Sequence, residues 1–132
     1  MPHIIIDYSA NLEPAADIAG LCEGLRKTAA GLDVFPMTGV RVRAIRADHF
    51  AIADGDPGHG YMDISVRLRA GRTPEARKAA TAALFAAAKA HLADLIATRP
   101  IMLSMEMRDI DPEVSPKINT VAEYIERARA DD

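Results

Sequence analysis

Two kinds of residue in this chain have the chemistry of a catalytic site: a proline beside the terminus and a small set of arginines. Pro2 follows Met1 directly. Removal of an initiator Met before a small residue such as Pro would leave a secondary amine at the terminus, where an amide now stands. Such an amine takes a proton from a substrate and returns it, provided that a good fraction is neutral at working pH. Burial among apolar groups and nearby cations both favour that neutral form. Arg72 precedes a strong helix start, Thr73-Pro74-Glu75, so its guanidinium and the free N–H groups of that first turn are placed to share one anion. Arg holds a carboxylate through two parallel hydrogen bonds. Arg41 and Arg43 stand two apart in a strand pattern and therefore share a face. That face suits either a solvated edge or the floor of a site for an acidic substrate. Arg67 and Arg69 form a similar pair, but Asp63 and Ser65 share their face, and they read as solvated.

These residues need elements to hold them. His3–Tyr8 is rich in β-branched residues and reads as a strand covered on both faces. It leads straight from Pro2. A helix is expected over Glu13–Ala30, with Ile18, Leu21, Cys22, Leu25 and Ala29 on one apolar stripe and Gly31 as its stop. After Phe35-Pro36, Val40, Val42 and Ala44 alternate with Arg41 and Arg43 as a second strand. Asp54–Gly60 is a loop rich in Gly and Asp. Met62, Ile64, Val66 and Leu68 then alternate as a third strand. Thr73 is a good N-cap and Pro74 suits the first helical position, so a long helix is expected from there to just before Pro100. Ile101, Leu103, Met105 and Met107 alternate as a fourth strand. A polar loop, Asp111–Asn119, leads to a short helix capped by Thr120, with Val121, Tyr124 and Ile125 on its apolar side.

The order is β-α-β, loop, β-α-β, tail, with pseudo-repeats over about 2–46 and 61–109 of one domain, 1–132. Parallel β-α-β crossovers are right-handed. The expected fold is α+β: a four-stranded mixed sheet with two helices on one face and a short C-terminal helix. The Met and Leu of the fourth strand suggest that the other sheet face is covered as well, by further subunits.

Composition narrows the chemistry further. The 132 residues suit one soluble globular domain, with 49% hydrophobic and 27% charged residues. A net charge of -3 gives no reason to expect a nucleic-acid partner. The Ala-rich stretch contains Lys89 and is no membrane span, and no signal peptide is read. The single Cys22 fits a reducing cytoplasm and reads as core filler. His3, His49, His59 and His91 lack the spacing of metal ligands. No phosphate-binding glycine motif and no nucleophile elbow appears.

Taken in order, Met1–Ile5, Phe35–Arg43, Ala53-Asp54-Gly55, Ala70–Arg77 and Pro116–Asn119 resemble the 5-carboxymethyl-2-hydroxymuconate Δ-isomerase family of the tautomerase superfamily. The resemblance covers nearly the whole chain. It implies a cytoplasmic homotrimer of doubled β-α-β units acting in homoprotocatechuate degradation, with no metal or organic cofactor. Its substrate would be a small polycarboxylate. Pro2 matches the family's catalytic proline, and Arg41 and Arg72 match its substrate-handling arginines. Arg43 matches a further Arg on that strand. The reaction implied is conversion of a dienol to the conjugated ketone. The same residues would also serve another tautomerase-superfamily activity on an unsaturated 2-oxo acid, such as decarboxylation or dehalogenation. A non-catalytic oligomer that binds a small acid is the third reading.

Overall fold

The computed structural model describes residues 1–131; Asp132, the last residue of the expected domain, lies outside the described residues. Four strands, β1 (His3–Ser9), β2 (Arg41–Ala47), β3 (Gly60–Arg69) and β4 (Ile101–Ile110), form one sheet in the order β2-β1-β3-β4. β1 runs parallel to β2, and β3 runs parallel to β4. The two pairs meet through the antiparallel contact of β1 with β3. Each parallel pair is bridged by helix, α1 (Ile18–Ala30) in the first unit and α2 (Pro74–His91) with α3 (Ala93–Thr98) in the second. The mixed α+β sheet expected from the residue patterns is the sheet observed.

The core lies between the sheet and its helices. Ile4, Ile6 and Tyr8 of β1 and Met62, Ile64, Val66 and Leu68 of β3 are buried there against Leu21 and Leu25 of α1 and Leu84 and Ala88 of α2. Apolar residues at every second strand position and at helical spacing meet on one side of the sheet, as the two periodicities require. Thr73 caps α2 as expected: its Oγ1 accepts from Ala76 N at 3.1 Å.

The sheet's second face departs from expectation. Leu103, Met105 and Met107 pair with Met62, Ile64 and Val66, so they point to the helices and say nothing about the opposite face. That face carries Arg41, Arg43 and Ile45 of β2 and His3, Ile5 and Asp7 of β1. β1 is therefore buried on one face only within this chain: Ile4 and Ile6 are fully buried, whereas Asp7 is exposed.

Two helices also differ. α1 begins at Ile18 instead of Glu13. The Glu13 carboxylate is held by Tyr8 Oη and by Arg46 Nη1, which keeps the preceding segment out of a helix. Asp17, at φ 46°, then caps α1 by accepting from Gly20 N at 3.2 Å. The second long helix breaks at Leu92, which is buried. Just before the break, His91 Nε2 donates to the carbonyls of Ala16 and Asp17 at 2.8 and 3.0 Å. This contact ties the end of α2 to the start of α1, a structural role.

β3 starts at a position that only glycine fits. A Cβ on Gly60 would lie 2.6 Å from Leu12 Cδ2, and Leu12 is itself buried. Gly60→Ala is expected to cost about 1–3 kcal/mol through overpacking. A lowered urea midpoint with an unchanged slope would register it.

Candidate active site

The topology gathers one end of every strand. β1 and β2 start at the same end of the sheet, where the antiparallel β3 finishes, and β4 finishes beside it. His3 pairs with Arg41 on one side and Arg67 on the other, so continuing the register sets Pro2 beside Val40 and Leu68. Pro2 is fully buried. The chain from α1 to β2 passes against it: a Cβ on Gly39 would lie 3.4 Å from Pro2 Cδ.

Three side chains pin that passing loop. Arg72 Nη2 donates to the Val34 carbonyl at 3.1 Å. Asn119 Nδ2 donates to the Thr38 carbonyl at 3.0 Å. Arg41 donates through Nε and Nη2 to the Gly39 carbonyl at 3.2 and 3.1 Å. Arg72 Nη1 also donates to the Arg69 carbonyl at 3.0 Å. A guanidinium has five N–H donors, so Arg41 and Arg72 are each fixed in place with donors left for an anion.

The terminus lies in a positive field. The Met1 amine has its pKa lowered from 8.0, first by desolvation and then by the charges of Lys117, Arg72, Arg41 and Arg69. All of these favour the neutral amine. With Met1 in place, the Pro2 nitrogen is an amide. His3, next along, has its pKa pushed down to about 4, by burial first and then by Arg41, Arg67 and Arg43. Neutral His3 accepts at Nδ1 from Arg43 Nη1 at 3.3 Å. The structure thus brings Arg41 and Arg72 to the terminus and places Arg43 one pair further along the open sheet face.

Lys117, Arg69 and Asn119 join the site without having been singled out as chemistry. Arg69, read from the sequence as solvated, lines a small cavity of about 30 Å³ with Met1, Ile110, Pro112, Ser115 and Lys117. A second cavity, about 330 Å³, opens on the other side between Gly39, Arg41 and Asn119. The helix α4 (Thr120–Ala130) is capped by Asn119, not Thr120: Asn119 Oδ1 accepts from Ala122 N at 3.2 Å while its Nδ2 holds Thr38. The signal for this segment was the Pro116–Asn119 run, which carried family resemblance but no chemistry of its own. The apolar side expected for α4 is only partly used: Val121 and Tyr124 are 60% and 64% exposed.

A larger cavity, about 680 Å³, lies elsewhere, between α2 and β4, and is lined by Arg77, Phe85, Met105 and Met107 among others. Arg77 is already engaged by Asp109 and the Met107 carbonyl, and none of Pro2, Arg41, Arg43 and Arg72 lines this groove. Size alone therefore does not locate the chemistry. Among the described residues, no group of three His, Cys, Asp or Glu side chains is placed to hold a metal ion, and no helix is long and apolar enough to cross a membrane.

A doubled β-α-β sheet with a cation-ringed terminus at one end defines the class: this is the tautomerase fold. A solved fused 4-OT, a symmetric trimer, is 25% identical with a TM-score of 0.61, covering 92% of this chain and 98% of its own. A 5-carboxymethyl-2-hydroxymuconate isomerase from Deinococcus radiodurans R1 is closer, at 34% identity and a TM-score of 0.86, covering 93% of each chain. The 5-carboxymethyl-2-hydroxymuconate Delta-isomerase of Escherichia coli is 34% identical over 121 residues, 92% of this chain and 96% of that one. The family model for 5-carboxymethyl-2-hydroxymuconate isomerase matches residues 2–125. The chain belongs to this isomerase family.

Proposed function

We propose that this isomerase converts 5-carboxymethyl-2-hydroxymuconate from the dienol to the conjugated ketone, with Pro2 as the proton carrier after loss of Met1. The observation that carries the reading is the placement of Arg41, Arg72, Arg69 and Lys117 about the buried Pro2 and the Met1 amine before it. The neutral Pro2 amine takes the proton of the 2-hydroxyl. The electron pair moves along the conjugated chain to a distant carbon, and the resulting ammonium returns the proton there. The amine is regenerated, and no co-reactant is consumed. Negative charge builds on the 2-oxygen during transfer. Arg41 and Arg72, already fixed by backbone carbonyls, stabilise that charge and hold the carboxylates without reorganising. Arg43 lies further along the same sheet face and contributes to the positive field there.

The reading places the chain in the cytoplasm, in homoprotocatechuate degradation, and as a homotrimer. Family membership supports the pathway, and the fused 4-OT neighbour supports the assembly. An uncovered sheet face, with Ile45 and Met102 each more than half exposed, gives such an assembly a surface to bury.

The sign of the pH dependence follows from the site. Only the neutral amine accepts a proton, and the desolvation and four cations that lower the pKa of the Met1 amine would act in the same direction on a Pro2 amine one residue along. The value of kcat/KM is therefore expected to rise with pH, through a midpoint below that of an ordinary α-amine, and then to level off. His3 adds no limb between pH 5 and 8, because it is neutral throughout. The test is an ultraviolet assay of dienol loss, using protein shown by intact mass to begin at Pro2. A rate far above buffer supports the isomerase. A buffer-level rate overturns it and turns attention to another unsaturated acid.

A further inference from the structure

We infer that Arg69 and Lys117 form a separate carboxylate subsite, one that selects a substrate with a third carboxylate over dicarboxylates of the same length. This rests on the isomerase reading for the identity of the substrate. The geometry is that of a built corner. Arg69 ends β3 opposite Ile110, the last residue of β4. Ala70 N donates to the Ile110 carbonyl at 3.0 Å, closing the corner behind them. Lys117 hangs from a segment held at both ends. At one end Ser115 Oγ donates to the Asp111 carbonyl at 2.6 Å, and at the other Asn119 Nδ2 reaches Thr38.

The cavity between the two cations is also lined by Met1. At about 30 Å³ it holds about one water. Loss of Met1 does two things at once: it frees the Pro2 nitrogen and vacates this corner. The room that appears lies between Arg69 and Lys117, adjacent to the new amine. Among the described residues, Arg69 and Lys117 make no salt bridge, so neither is neutralised by a carboxylate of this chain. Arg41 and Arg72 suffice for two carboxylates. 5-Carboxymethyl-2-hydroxymuconate has three, and the carboxymethyl arm is the one that 2-hydroxymuconate lacks.

The experiment compares these two dienols as substrates of the full-length protein beginning at Pro2, with Lys117→Met, Lys117→Arg and Arg69→Met variants. Lys117→Met is expected to raise KM for the carboxymethyl substrate about tenfold, the low end for a hydrogen bond to a charged group. The Lys117 charge also lowers the pKa of the Met1 amine, so both dienols are compared on the pH plateau, where the terminal amine is neutral in every variant. There the rise in KM should fall on the carboxymethyl substrate and not on 2-hydroxymuconate, and Lys117→Arg should recover most of the loss. Arg69→Met should show the same selective loss, since Arg72 holds the Arg69 carbonyl and not its side chain. Equal effects on both dienols, or none, would overturn the subsite. Calorimetric binding of propane-1,2,3-tricarboxylate against adipate gives a readout that needs no turnover. A tricarboxylate preference that Lys117→Met abolishes, in a protein inactive on both dienols, would sink the isomerase reading and keep the subsite. No preference in the active wild type would do the reverse.

Discussion

Protein that keeps Met1 is expected to turn over the dienol about 10²–10⁴-fold more slowly than protein that begins at Pro2, the usual range for losing a general base. The cause is electronic before it is steric. With Met1 attached, the Pro2 nitrogen is an amide whose lone pair is delocalised into the carbonyl and is not basic. Met1 also walls the cavity that Arg69 and Lys117 line, leaving about 30 Å³, so the substrate is blocked as well. Expression with methionine aminopeptidase inhibited gives the retained form with Pro2 still in place, and intact mass verifies it. Pro2→Ala, processed normally, separates the two effects. It presents a free primary amine in an open cavity, and its loss should be smaller than that of the Met1-retaining form. Equal activity of the processed and unprocessed proteins would contradict the assignment. Pro2 is buried against Gly39, so thermal unfolding of each variant must accompany the kinetics.

Arg72→Ala should be nearly as damaging, lowering kcat/KM by about 10²–10³-fold, as removal of a fixed donor at a developing oxyanion does. Arg72 is both an anion donor and a clamp. Its guanidinium joins the Val34 carbonyl to the Arg69 carbonyl, and so joins the loop beside Pro2 to the end of β3. Losing the clamp costs about 1 kcal/mol of stability on its own. Arg72→Lys keeps the charge and loses the fork. If the charge alone mattered, Lys would restore most activity; the planar geometry implies that it restores little. A change in KM alone, with kcat intact in Arg72→Ala, would make this residue a binder of ground state and transition state alike.

How much of this was legible depends on how local the cause is. Thr73, Pro74 and the alternation of β3 are decided within a few residues, and the sequence reading places them as the structure does. Pro2, Arg41 and Arg72 stood out because they sit at element ends. One sheet end collects them, once β1 and β3 run antiparallel. The misreadings have distant causes. Glu13 looked like a helix start until Arg46, 33 residues on, held its carboxylate. Asn119 and Thr120 are equally good caps by type, and the choice falls to the one that also meets Thr38, 81 residues away. Arg69 shares a face with Asp63 and Ser65 along β3, which hid its position at the strand's end beside Met1. The side of the sheet to which Leu103 and Met105 point needed the register with β3, which alternation alone does not supply.

The central claim is that a neutral terminal amine on Pro2 moves the proton. An NMR titration of protein labelled with ¹⁵N-proline reads that amine directly. The account predicts one terminal proline nitrogen titrating with a midpoint below the ordinary α-amine range and matching the midpoint of the kcat/KM profile. A midpoint above that range, or one unrelated to the kinetic profile, would contradict it.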